Sequence, residues 1–175
     1  EYILKANNID PASDLSIDQS VDFGLTAGAF SGNTEYDFTV EFEPGATSLE
    51  KEGKGYVVAS LGVDSGYVPY TAYSAKKSYI EKNPEIIKDF TSAIQKGLDY
   101  VNSHSSAEIA KVIAPQFEDT DIDTITTIVE RYKSQDTWKK DTVFTMESFE
   151  LLEDILIEAG ELKEKVPYED LVKVD

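Results

Sequence analysis

Glu41 and Glu43 stand one residue apart, immediately before Pro44. In an extended segment residues i and i+2 share a face, so the two carboxylates would lie side by side. Such a pair could work as acid and base, or hold a ligand amine or hydroxyl. In an acidic chain it also reads as a solvated face. Glu43 is the stronger candidate, because the chain breaks directly after it and ligands of open α/β sheets sit beyond the carboxyl ends of strands. A second group follows Gly66, where Tyr67, Pro69, Tyr70, Thr71 and Tyr73 offer ring faces and hydroxyls suited to a small polar ligand. The same residues could merely shape and pack a turn. Asp22, before Phe23-Gly24, could touch a cation or a hydroxyl. His104 lies between two serines and reads as an exposed loop residue. Trp138, beside Lys139-Lys140, could cover a cleft mouth or pack on the surface. No P-loop, GxGxxG, G-x-S-x-G or H-E-x-x-H pattern occurs.

Composition narrows the chemistry further. The 175 residues suit one domain or two small lobes, and a hydrophobic fraction of 41% supports a core. Sixteen Lys and Arg against 34 Asp and Glu leave a net charge of −18, which opposes nucleic acid and anionic membrane surfaces. Arg131 is the single arginine, so a bidentate clamp on a carboxylate, sulfonate or phosphate would have to use it. Without cysteine there are no disulfides, thiolate nucleophiles or cysteine metal sites, and one histidine cannot build a multi-histidine site. No metal and no cofactor is expected. Lack of cysteine fits an exported bacterial protein. The chain opens at Glu1 in a helical-looking stretch with no initiator Met and no signal peptide, which reads as a fragment.

The elements that would position these residues follow from periodicity. Tyr2, Ile3, Leu4 and Ala6 suggest the end of a helix. Leu15, Ile17 and Val21 alternate as in a half-buried strand, and residues 24–30 read as a short helix. Tyr36, Phe38, Val40 and Phe42 alternate with polar residues, predicting a strand that Pro44 ends. A helix over 45–52 closed by Gly53, a buried strand over 56–61 and an extended run over 68–73 follow. Asn83-Pro84-Glu85 predicts a helix start with Asn83 as cap. Ile86, Ile87, Phe90, Ala93, Ile94, Leu98 and Val101 mark its apolar face. Ser105 with Glu108 forms a capping box for a helix through Ile113. Ile122, Ile125, Val129 and Tyr132 line the next helix. Thr145 caps a last long one that Gly160 ends. Helix and strand alternate up to residue 66 and helix dominates beyond it, which places a lobe boundary near residues 64–67.

Several motifs, taken in order, resemble one family. Phe42-Glu43-Pro44 is similar to the aromatic-Glu-Pro strand end of periplasmic binding proteins of the nitrate, sulfonate (taurine), bicarbonate and thiamine-precursor group. Val68-Pro69-Tyr70-Thr71 resembles their re-entry segment, and Tyr79-Ile80-Glu81-Lys82-Asn83-Pro84-Glu85 their next helix start. Glu158-Ala159-Gly160 and Val166-Pro167-Tyr168-Glu169-Asp170-Leu171-Val172 resemble their closing stretch. The likeness covers the second half to two-thirds of a family member.

What the resemblance implies is a partial type 2 periplasmic-binding-protein fold of the α/β class. Residues 1–66 would belong to a three-layer α/β lobe, and 67–175 would form a return strand and mainly helical return to the other lobe. The implied function is capture of a small molecule (a sulfonate, nitrate or a thiamine-pyrimidine-like compound) in a cleft that closes by a hinge, followed by delivery to an ABC-importer permease. Glu43 and residues 67–71 carry over as ligand contacts, with Glu41 and Asp22 beside them. An extracytoplasmic location follows, with membrane association only through a lipid anchor outside this stretch. The alternatives are a pyrimidine-precursor synthase-like enzyme, whose cysteine-dependent iron chemistry this chain lacks, and the ligand-sensing domain of a signalling protein. Without its partner strands the fragment is expected to be marginal as a monomer, or to swap elements in a dimer.

Overall fold

The computed structural model of the chain describes residues 1–173. Its helices are α1 (Tyr2–Ala6), α2 (Thr26–Gly32), α3 (Gly45–Lys51), α4 (Leu61–Ser65) and α5 (Lys77–Lys82). They continue with α6 (Pro84–Ser103), α7 (Ser106–Ile113), α8 (Ile122–Ser134), α9 (Met146–Glu158) and α10 (Tyr168–Leu171). Two compact units form. One gathers Glu1–Ile9, Leu61–Ser103 and the chain from Trp138 on; the other gathers Asp10–Ser60 and His104–Thr137.

The second unit holds most of the buried core. Ile109 and Ala110 of α7 pack with Ile125 and Val129 of α8, and α3 adds Leu49 and Thr47. The sequence explains why these helices start where they do. Ser105 and Glu108 form the expected capping box: the Glu108 amide donates to Ser105 Oγ at 3.3 Å, and the Ser105 amide to Glu108 Oε2 at 2.9 Å. Asp121 caps α8 by accepting from the Thr124 amide at 2.9 Å.

The first unit is built on α6 and α9. Thr145 caps α9 as expected, and Gly160, at φ +77°, follows its end. Phe149 of α9 sits edge-on to Phe144 and Tyr168, with ring centroids 6.1 and 5.6 Å away. The Tyr168 hydroxyl donates to the Phe144 carbonyl, and buried Glu153 accepts from the Val166 amide at 2.7 Å. These bonds tie the last segment back onto α9. As expected, α6 begins at Pro84 directly after Asn83, whose carbonyl accepts from the Ile87 amide at 3.2 Å; the Asn83 side-chain amide donates back to the Tyr79 carbonyl at 2.9 Å, at the end of α5. No residue of α6 is fully buried; Tyr73 packs on Phe90 at 4.9 Å, and the amides of Gln95 and Asn102 hold the Lys140 and Lys139 carbonyls.

The expected three-layer α/β lobe is overturned, and with it the α/β class: among the described residues there is no strand. Residues 15–21, 36–42, 56–60 and 68–73 run without regular structure, and Leu61 already opens α4. Alternation predicts which side chains share a face. It cannot create the neighbour whose amides and carbonyls complete a ladder. No two of these segments form one, so side chains expected on a covered face stay exposed. Phe38 keeps 77% of its surface and Tyr56, expected in a buried strand, keeps 87%.

Burial therefore ranks the helices by their weight in stability. Ile109→Ala is expected to lower unfolding free energy by about 2–5 kcal/mol, and Ile86→Ala by no more than ~0.5 kcal/mol, in urea denaturation. Equal losses at the two positions would show that α7 and α8 are not the core of their unit.

Candidate functional site

The most organised polar cluster lies on α3 and α8, within the second unit. Glu43, Thr47 and Glu50 are spaced i, i+4, i+7, which puts them on one helical face as the chain enters α3. Arg131 stands in the last turn of α8, where a cation also complements the helix dipole. Its Nη1 donates to Glu43 Oε1 at 2.5 Å and to Thr47 Oγ1 at 3.0 Å, and its Nη2 donates to Glu50 Oε2. Glu43 also accepts from the Thr47 amide and hydroxyl, both at 3.0 Å. The Val57 amide donates to Glu50 Oε1 at 2.9 Å. Side-chain exposure is 5% for Glu43 and 19% for Arg131, so the pair is largely withdrawn from water.

The other end of the same helix pair carries a second set of charges. Lys51 reaches Asp121 at 3.3 Å and also donates to the Thr124 hydroxyl. Lys51 ends α3 and Asp121 precedes α8, whereas Glu43 precedes α3 and Arg131 is near the end of α8. Arg131, near the end of α8, and Asp121, before its start, thus both bind side chains of α3 or of the residue leading into it. The Asp121 set is well exposed, so water and salt screen it and it contributes little to stability.

The protonation states follow from these partners. The Val57 amide bond holds the Glu50 carboxyl below the usual range; burial opposes it, and the Arg131 hydrogen bond and charge add to it. Burial works against the Arg131 cation, but hydrogen bonds and charge from Glu50 and Glu43 raise it above its ordinary value. Asp121 is held far below the usual range by its bonds from Thr124 first, and then by Lys51. Around Arg131 two carboxylates face one guanidinium. The group is thus an anion-rich internal clasp, with the one arginine already engaged on both sides.

The residues singled out from the sequence divide between the two units. Glu43, Glu41 and Asp22 belong to the second. Glu41 accepts from the Thr26 and Thr39 hydroxyls at 3.1 and 2.8 Å, and its Oε2 lies 3.1 Å from where a Cβ on Gly45 would stand. Asp22 is exposed and makes no side-chain cap to the short turn Phe23–Leu25 that follows it. Its neighbour Phe23 sits edge-on to Phe42 at 4.9 Å. Tyr67, Pro69, Tyr70 and Thr71 belong to the first unit. They leave Gly66, whose φ of +82° suits glycine. Tyr67, Tyr70 and Thr71 are exposed and Pro69 is half-buried. His104 offers its carbonyl to Lys133 Nζ at 2.5 Å. Sequence reasoning missed Thr47, Glu50 and the role of Arg131. The i, i+4, i+7 spacing of Glu43, Thr47 and Glu50 opposite a lone arginine was the available signal. Among the described residues no cluster of His, Cys, Asp and Glu could hold a metal ion, and no helix is long and apolar enough to cross a membrane.

Two outcomes are expected. Arg131→Ala strands two partly buried carboxylates and should lower stability by about 3–5 kcal/mol, read by urea denaturation; Arg131→Lys should recover only part of it, because a point charge cannot reach both acids. A loss no larger than that of a surface substitution would show that the clasp holds nothing. The second concerns pH. The folded-state Glu50 carboxyl lies below its ordinary 4.5, so its contribution is complete above that value and is lost as pH falls through the folded value. Glu50→Gln should therefore flatten part of the acid side of the stability profile and leave the neutral-to-alkaline side unchanged in shape.

Comparison with known proteins returns no matching family model and no matching solved structure. One curated protein does match. Over 172 residues, 98% of the chain, the sequence is 42% identical to the Bacillus subtilis (strain 168) protein named "Putative binding protein YtlA". The match takes in 51% of that protein, so the chain spans about half the length of the curated relative. Identity at this level along nearly the whole chain makes the two homologous, and the relative carries the name of a binding protein.

Proposed function

We propose that this chain is part of a solute-binding protein that captures a small molecule and delivers it to an ABC-importer permease. The observation that carries the reading is the 42% identity, over 98% of the chain, to a protein named as a binding protein. The order of Phe42-Glu43-Pro44, Asn83-Pro84-Glu85 and Val166-Pro167-Tyr168 adds the likeness to the nitrate, sulfonate and thiamine-precursor binding group. In this reading residues 1–66 and 67–175 contribute to different lobes, and the protein works outside the cytoplasm, tethered by a lipid anchor beyond this stretch.

Tyr67, Pro69, Tyr70 and Thr71 are the side chains we assign to the ligand. Exposed aromatic rings and a hydroxyl supply stacking area and directed hydrogen bonds, the usual means of holding a small polar molecule. Within the second unit Glu43 holds α3 on α8 through Arg131, and Glu41 and Asp22 belong to that unit too. With its one arginine engaged internally, the chain offers hydroxyls and amides rather than a guanidinium clamp to a ligand.

Calorimetric titration of the full-length gene product with taurine, nitrate and an aminopyrimidine alcohol tests the reading. One of the three is expected to bind saturably, and Tyr70→Ala to weaken it about tenfold, ~1.4 kcal/mol. Absence of heat or thermal shift with all three would sink the assignment to this group of binding proteins.

A further inference from the structure

α6 runs for 20 residues without one fully buried side chain, yet its sides differ. Ile87, Ile94 and Leu98 are half-buried, and the Gln95 and Asn102 amides hold the Lys140 and Lys139 carbonyls, so this side turns to its own unit. Ile86, Phe90, Ala93 and Gly97 are exposed, the first two at 53% and 44%. Steps of four, three and four residues put them in one seam along the helix, the repeat by which helices pair. Tyr73 widens the seam by packing on Phe90 at 4.9 Å. Bulk changes along it. Ile86 and Phe90 are large, Ala93 and Gly97 are small, and a Cβ on Gly97 would meet nothing within 4 Å. Asp89 and Lys96 stand on one flank of the seam. Both are exposed, and neither makes an ion pair among the described residues.

We infer that this seam is an interface between two copies of the protein, with their α6 helices packed antiparallel across a two-fold axis. In such a contact residue i meets residue j and j meets i. Ile86 then meets Gly97 of the partner subunit, and Phe90 meets Ala93 of the partner subunit, so each large side chain falls on a small one. Asp89 comes opposite Lys96 of the partner subunit, and the symmetry makes that pair twice. Parallel pairing would instead stack Phe90 on Phe90 and Gly97 on Gly97, with excess bulk at one end and a gap at the other. The net charge of −18 is not concentrated here, because α6 carries Lys88 and Lys96 against Glu85, Asp89 and Asp99. Repulsion between more distant charges is screened beyond about 8 Å at physiological ionic strength. None of the residues assigned to the ligand takes part, so pairing and binding can fail separately.

Sedimentation equilibrium of the full-length gene product tests the inference, and a reversible dimer is expected. Asp89→Lys and Lys96→Glu each set like charges face to face, and each should weaken pairing by about tenfold or more. Mixed together, the two variants should pair again, because the mixed dimer restores an opposite charge at both contacts. Gly97→Glu should abolish pairing and leave the melting temperature of the monomer no lower, since it replaces a helical glycine at an open position. A wild-type protein that stays monomeric up to about 1 mM would overturn the inference. So would a dimer that the charge variants leave intact, or variants that stay apart on mixing. A monomer that Gly97→Glu destabilises would assign the seam to another part of the same chain instead.

Discussion

A guanidinium between two carboxylates, largely out of water, is stable only while all three partners stay in place. Arg131 meets Glu43 and Glu50 in this way, with the Thr47 hydroxyl completing the group. Taking one partner away leaves a charge with neither water nor counterion, which is far costlier than the intact group is favourable. The clasp therefore acts less as a source of net stability than as a constraint on register. α3 has one position on α8 at which its i, i+4, i+7 face meets the arginine. That position sets where residues 41–43 lead into α3 and where Val57 meets Glu50.

The apolar core and the clasp divide the work. Ile109, Ala110, Ile125 and Val129 supply non-directional burial, which any well-filled helix pair could provide. The directional contacts of Glu43, Glu50 and Lys51 with Arg131 and Asp121 choose one arrangement of α3 on α8 among those the core would tolerate. In the first unit the same division appears between Phe149 and its aromatic neighbours on one side, and the Glu153 carboxylate holding the Val166 amide on the other. The chain after α9 is fixed by that carboxylate and by the Tyr168 hydroxyl, not by any helix of its own longer than one turn.

Much of the helical organisation was legible from residues alone. The Ser105–Glu108 box, the Thr145 cap and Gly160 act within a few residues of themselves, so local spacing is enough to place them. Asn83 and Pro84 likewise stand where α6 begins, and what local reading did not show is that the Asn83 amide would also donate back to Tyr79 of α5. The acidic pair at Glu41 and Glu43 was visible as a candidate, but its use was not. Spacing showed two carboxylates on one face. It did not show that Thr26 and Thr39 would take one and Arg131 the other.

The segments expected as strands mark the boundary most clearly. Alternation in residues 36–42 says which side chains a strand would put on one face, but the segment has no regular structure. Whether that face is covered depends on a neighbour, and a neighbour is a property of the whole fold. What the sequence by itself determined is therefore what acts over a turn or two: helix starts and stops, apolar faces, and a charge of −18 with one arginine in it. Only the tertiary structure decided which carboxylates that arginine would hold and which apolar faces would find cover. Glu43 and Arg131 are 88 residues apart, and no local preference reaches that far.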